Sequence, residues 1–427
     1  MNYLTSPLKR MTSSSVKFGK DVLNHETYRW LAMVYFVTFF IFLPLLCQKL
    51  PNSLFFIQPQ DLEYERSKVW KQNDINAEAA TDYVTREGNA LRRNINLTAA
   101  GQAKHSVPNS VVLITVISVS RANSQGHGTK YLTQAVAKTH RLLKEFHAAS
   151  NDDFFQMAIC NVDSQPMDNT EAKFLSEALH IPLMNRFAKY GLGQLESRSI
   201  FEKEKNDYAY CLNESLKHRP DYVLLLEDDA ILVDNAFRTV HHILTHSFEY
   251  FFTKKQRQET AYIKLYHPMR LLSFFSYQVE RIPELLALGA IFGSISLGIL
   301  SRLTKVIDKI GLHRLWLFTI IYFTLFFFCI GRSNLLKVRE FSNYFYQIVP
   351  APSCCTPAML FPNSTAHTLV KYFHQTTSRK GYAKDYILET FKQDTRFVGR
   401  MISPNLVEHI GMFSALRRKT LNPFIVN

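Results

Sequence analysis

The sequence has no CxxC pair and no clustered array of cysteine and histidine, so it carries none of the ligand spacings that hold structural zinc. It has no internal repeat and no low-complexity tract, which excludes solenoid arrays and fibrous chains. Its first apolar run starts deep in the chain and lacks a small-residue cleavage site. That run therefore reads as a retained anchor, not a removed signal peptide. Acidic residues are also in deficit, 36 against 50 lysines and arginines, which leaves a formal net charge of +14. An excess of this size suggests an anionic partner: nucleic acid, a membrane surface or a phosphate-bearing substrate. Hydrophobic residues are not scarce, at 47% of 427, so disorder is not expected and one large or two ordinary domains fit the length.

Membrane segments choose among those partners and leave nucleic acid unsupported. Leu31 to Cys47 is almost unbroken in apolar residues and, at about 17 residues, is just long enough to span a bilayer. Lys9, Arg10, Lys17, Lys20 and Arg29 precede it against only Asp21 and Glu26, which puts the N-terminus in the cytosol. Leu285 to Leu300 and Leu315 to Gly331 form a second and third span, joined by a connector carrying Arg302, Lys305, Lys309 and Arg314 against Asp308. By the same rule that connector is cytosolic. The other reading makes one hairpin segment a buried core helix, with the glycine-bearing Leu285 to Leu300 the candidate. Three spans leave the remaining chain on the non-cytosolic side, where the sequons at Asn96, Asn213 and Asn363 are candidates for glycosylation. Four cysteines lie there too. Cys160 and Cys211 sit on neighbouring elements and are able to pair, whereas Cys354 and Cys355 form either a vicinal bridge or two buried thiols.

The luminal chain alternates. Val111 to Val119 and Phe154 to Val162 read as buried strands, with helices at Tyr131 to Phe146 and Glu171 to Leu179. A helix at Phe201 to Leu216, with Tyr208, Leu212 and Leu216 on one face and Lys203 and Lys205 off it, leads into the strand Tyr222 to Leu226. Ala261 to Tyr266 and Ala358 to Phe361 are further strands, and Lys384 to Phe391 is a helix. The βαβαβ order predicts an α/β fold with a doubly wound, mostly parallel sheet, interrupted by the membrane hairpin. Residues 48–106 are polar and read as a stem with a helix around Leu62 to Thr85.

The chemistry concentrates at Glu227-Asp228-Asp229, three carboxylates at the end of a buried strand, where ligands of open α/β sheets bind. Hard divalent cations prefer such oxygens and share them with substrate phosphates. The plainer alternative is a polar turn in which Asp228 or Asp229 caps a helix over Ala230 to Leu244. On the metal reading Asp229 touches the ion, Glu227 and Asp228 orient ribose, water or a neighbouring cation, and His409 completes the coordination. Asp385 is the candidate general base for an inverting transfer, with Glu408 in reserve; alternatively Asp385 only stabilises the start of its helix. Lys205 and Asp207 are candidate phosphate or nucleotide contacts, against the reading of a solvated charged face. Val119 and Arg121 lie where such sheets meet a base, and Thr356 and Pro357 form a turn able to touch a donor sugar.

Phe201-Glu202-Lys203-Glu204-Lys205-Asn206-Asp207-Tyr208, Glu227-Asp228-Asp229-Ala230, Leu265-Tyr266-His267-Pro268, Cys354 to Pro362 and Pro404 to Gly411 together resemble the post-GPI-attachment to proteins factor 4 family, from about residue 110 to 415. These are Golgi transferases that add N-acetylgalactosamine to the GPI glycan. The resemblance implies a GT-A-type domain, a UDP-N-acetylgalactosamine (UDP-GalNAc) donor, Mn²⁺, and β transfer to the first mannose of the GPI core, hence inversion. It maps the acidic motif onto Glu227, Asp228 and Asp229, and His409 to Gly411 is similar to the metal-binding end of branching N-acetylglucosaminyltransferases. The implied partners are GPI-anchored proteins as acceptors and Golgi membrane lipids. The expected division is a cytosolic tail at 1–30, an anchor at 31–47, a stem at 48–106, transferase parts at 107–281 and 332–427, and the hairpin at 282–331. Rival readings are a GT-A transferase acting on N-glycans and a lectin-like, non-catalytic escort of GPI proteins.

Overall fold

The computed structural model describes residues 26, 28–97, 111–120, 130–150, 153–165, 167, 169–187, 199–275, 281–303, 310–414 and 419–420. The chain divides into two compact units, residues 1–58 with 269–338 and residues 59–268 with 339–427. Among the described residues the first unit holds three helices long and apolar enough to cross a bilayer, Tyr28–Cys47, Arg281–Leu303 and Leu312–Ile330. The protein is a membrane protein. Ile291, Ile295 and Ile299 on the second span are exposed, whereas a core helix would bury them. Glycine sets how closely the hairpin helices approach: a Cβ on Gly289 would lie 1.9 Å from Thr324 Oγ1, and one on Gly293 2.8 Å from the Ile320 nitrogen. Glu284, in the first turn of the second span, is paired with Arg332 at 2.8 Å.

The second unit is built on an eight-stranded sheet in the order β3-β2-β1-β4-β8-β6-β9-β7. Its strands are β1 (Val112–Ser118), β2 (Phe155–Asn161), β3 (Leu183–Asn185), β4 (Tyr222–Glu227), β6 (Thr260–Lys264), β7 (Gln347–Pro350), β8 (Ala358–Pro362) and β9 (Val398–Ser403). Only β8 and β7 run against the rest. This is the mixed α/β, largely parallel sheet expected. Alternation decides which face each side chain covers. Val112, Ile114, Val116, Leu224, Leu226 and Leu360 enter one core, with helices α1 (Leu62–Leu97), α2 (Tyr131–Ser150), α3 (Thr170–Leu179) and α5 (Ala236–His242). Val223, Leu225, Met359 and Phe361 enter the other, with α4 (Ile200–Leu216), α6 (Asn363–Gln375) and α7 (Lys384–Asp394).

Helix α1 continues well past Thr85 and packs on the domain. Val84 is fully buried, Tyr83 Oη lies 2.9 Å from His140 Nδ1, and a Cβ on Gly88 would meet the Ala178 carbonyl at 3.0 Å. A second difference concerns Ala230 to Leu244. Ala230–Leu232 is a strand, β5, paired antiparallel with β10 (Val407–His409), and the helix begins only at Ala236. The turn acids therefore do not cap a helix. Lys205 is a third: it is 1% exposed, not off the buried face. The reason is spacing, since Lys205 precedes Tyr208 by three residues and so shares its stripe.

Cys160 of β2 is bonded to Cys211 of α4, and Cys354 to Cys355. Asn213 is half-buried on α4. The Asn363 amide donates to the Pro220 carbonyl at 2.7 Å, and Thr365 of the same sequon is buried. The side chain of Asn96 lies outside the described residues. The Cys160–Cys211 bridge closes a sequence separation of 51 residues, for which chain-entropy arguments give about 4 kcal/mol. Replacing both by serine should lower the thermal midpoint of the purified full chain by about 6 °C; an unchanged midpoint would mean that the bridge adds nothing.

Candidate functional site

The site starts from a strand that runs out of apolar residues. β4 carries Val223 to Leu226 through the core and ends at Glu227, and the chain turns at Asp228 and Asp229 into β5. β10, from far along the chain, pairs with β5 so that His409 stands opposite Ala230, and Ile410 N donates to the Asp229 carbonyl at 2.9 Å. Three ligand atoms result, one each from Glu227, Asp229 and His409, all within 4.8 Å of one another. His409 Nε2 lies 3.4 Å from Asp229 Oδ1, while its Nδ1 is buried with no hydrogen-bond partner among the described residues. Two carboxylates and one imidazole are a donor set that suits Mn²⁺ or a similar divalent ion. Asp228 is buried as well but is not a member of this group.

Backbone and side chains hold the acids from behind. Glu227 N donates to the Pro357 carbonyl at 2.8 Å, and Thr356 Oγ1 donates to Glu227 Oε1 at 3.3 Å. Lys384, the first residue of α7, lies 2.7 Å from the same oxygen and 2.9 Å from Glu204, with its ammonium 4.9 Å from the centre of the Tyr208 ring. Burial works against the Lys384 charge, but Glu204 and Glu227 outweigh it and hold its pKa well above the ordinary lysine value. The lysine is therefore a fixed cation behind the acidic turn. Asp385 follows it, half-buried in the first turn of α7, where its Oδ1 accepts from Tyr386 N at 3.0 Å.

Thr356 and Pro357 thus meet the acidic turn. Lys205 does not: its ammonium donates to Glu202 and to the Thr376 carbonyl, both at 2.6 Å, and ties α4 to the end of α6. Asp207 is held by Arg186 and by Lys203, the latter at 2.8 Å. Val119 sits just past β1, half-buried against the second core; Arg121 lies outside the described residues.

A family model described as GPI-N-acetylgalactosamine transferase PGAP4 matches residues 112–408, more than half of the chain. The chain belongs to that family. It is therefore a member of a glycosyltransferase family, and the match spans β1 through most of β10, with Glu227, Asp229, Lys384 and all but the last residue of that strand inside it.

Sequence reasoning missed Lys384, Glu204, Lys264 and the packing role of Gly411. Lys384 adjoined a residue that was singled out, and Glu204 precedes Tyr208 by four on its helix, so both signals were available. Lys264 closes β6, and its buried ammonium donates to the carbonyls of Pro352 at 2.9 Å and Cys354 at 2.5 Å, anchoring the loop before Thr356. Burial first, then Lys392, pushes its pKa down to about 8 against the pull of Glu389 and Asp385. A lysine depressed on folding binds fewer protons in the native state than in the unfolded one. Stability should therefore rise as pH climbs from about 8 toward the ordinary value of about 10.4. Chemical denaturation at pH 7.5 and 9.5 should show a smaller rise in Lys264→Met than in the parent protein, the remainder coming from Lys203, whose pKa burial also lowers to about 8; equal slopes would refute the assignment.

Gly411 leaves no room for a side chain: a Cβ there would lie 2.2 Å from Asp229 Oδ2 and 3.0 Å from His409 Cε1. Gly411→Ala should displace the Asp229 carboxylate and, if the candidate site takes a divalent cation, weaken its affinity for the probe ion Mn²⁺ at least about tenfold, in the range of disrupted ligand supports, with little change in the metal-free melting temperature. Manganese paramagnetic resonance would measure it, and unaltered affinity would show that Asp229 is not a ligand.

Proposed function

We propose that this protein transfers N-acetylgalactosamine from UDP-GalNAc to the first mannose of the GPI core, with a divalent metal and with inversion. The observation that carries the proposal is the convergence of Glu227, Asp229 and His409 at the carboxyl end of β4 in a member of this family. A divalent ion bound there supplies Lewis-acid neutralisation of the departing diphosphate. Asp229 and His409 hold it, with Glu227 as the third ligand fixed by Lys384 and Thr356. Asp228 orients the ribose or a water molecule. Val119, just past β1, meets the nucleobase, and the Thr356-Pro357 turn meets the donor sugar.

Inversion requires a base on the far side of the anomeric carbon. Asp385 is assigned that role because α7 starts at the acidic turn and its first carboxylate follows the residue bound to Glu227. Lys205, occupied by Glu202 and Thr376, is given a structural role instead of a donor contact. The acceptor explains the membrane spans: a GPI core lies near the headgroups, and anchoring the domain beside it reduces the entropy lost on encounter. A Golgi membrane, a cytosolic N-terminus and luminal transferase parts complete the reading.

The test is transfer by the detergent-purified protein from UDP-GalNAc to a GPI-core acceptor with Mn²⁺, beside Asp229→Ala and a UDP-N-acetylglucosamine control. Activity should be specific to the galactosamine donor, abolished by chelation, and reduced at least about a thousandfold in the mutant. Turnover that survives Asp229→Ala would overturn the metal site, and folded protein that binds GPI glycans without turnover would favour the escort reading.

A further inference from the structure

The sheet domain exposes an aromatic surface that neither core nor site accounts for. Tyr250, Phe251, Phe341, Tyr344 and Phe345 are between 55% and 86% exposed. Sequence separates them into two groups; structure joins these. His242 of α5 packs on the Tyr344 ring with centroids 4.7 Å apart, stacks on His246 at 5.0 Å, and His246 meets Tyr250 at 6.4 Å. The turn Asn343–Phe345 is fixed to α5 by Thr239 Oγ1 to Asn343 Oδ1, 3.0 Å, and Asn235 Nδ2 to Tyr346 Oη, 3.2 Å. An apolar surface held this firmly is displayed, not left over from a frayed loop.

Three observations say what covers it. Phe341 closes a run of helical turns, Arg332–Leu336 and Lys337–Phe341, that follows directly on the third span ending at Ile330. At helical rises of 1.5 to 2 Å per residue, such a run advances no more than about 20 Å, within reach of the headgroup layer. Second, the chain leaves for the hairpin and returns from it at this end of the sheet. β7 begins at Gln347 opposite Ser403, the last residue of β9, and β6, which runs parallel to β9, also ends there before the chain leaves for the second span. Third, Tyr250 and Phe251 are followed by exposed Lys254 and Lys255. Tyrosine and phenylalanine beside lysine is the composition that settles at a bilayer surface, with rings among the carbonyls and ammonium groups on lipid phosphates.

We propose that this surface is a membrane-docking face, and that its partner is the phospholipid headgroup region of the bilayer that the three helices span.

Full-length protein in nanodiscs tests this without donor or acceptor, so its outcome is independent of the transferase reading. A bimane fluorophore on Tyr344→Cys, measured with phosphatidylcholine carrying a doxyl quencher near the headgroup, should be quenched several-fold more than one on Lys173→Cys. Lys173 lies on α3, which leads to the β3 edge. Protein without either substitution gives the background from Cys47 and Cys329, the free cysteines among the described residues. If Tyr344→Cys fails to fold, Phe341→Cys serves in its place. Equal quenching at the two edges would overturn the proposal.

Discussion

The three-residue pairing of β10 with β5 is the constraint on which the site depends. It joins Ala230, which follows the acidic turn, to His409, contributed by a segment almost two hundred positions later. Without that ladder Glu227 and Asp229 would be an acidic turn and His409 a distant imidazole. The same segment brings Gly411 against Asp229 and sends Met412 N to the Tyr131 hydroxyl at 3.1 Å, so the histidine is gripped from both sides. Precision comes from backbone hydrogen bonds, which tolerate little slippage, and not from the side chains themselves.

Concentrating carboxylates in one place is costly unless something answers their charge. Glu204, Glu227, Asp228 and Asp229 are all partly or wholly buried. Lys384 serves two of them from behind, and removing one partner of such a pair leaves an uncompensated charge worth more than the pair itself. On the other side of Glu227, Asp229 and His409 come within 4.8 Å of it and of one another, the candidate cation site. Lys264 plays the matching part for the Cys354-Cys355 loop, although its lowered pKa shows that this anchor is maintained against the preference of the lysine for water.

Much of this was legible in the sequence. The alternating strand and helix patterns, the apolar spans and the acidic triplet are local signals, and local periodicity reports them. β3, β5 and β10 were not, because each has only three residues, too few to show a period, and forms only when a partner presents itself. Lys205 was misread because charge was weighed above position: on a helix, a lysine three residues before a core tyrosine is carried inward, and it finds a carboxylate there. Asp385 is placed in the first turn of α7, which suits a helix-terminal carboxylate and a base equally.

The position of β8 has a consequence for how the protein is made. It lies between β4 and β6 and bonds to both, yet the ribosome produces those two strands before the membrane hairpin and β8 only after it. Until the hairpin and the strands after it have been made, β4 keeps an open edge and β6 lacks both of its neighbours, β8 and β9. Assembly cannot proceed from one end of the chain to the other. The strands made first therefore wait, with an edge unpaired, until the segments beyond the hairpin arrive to complete the sheet.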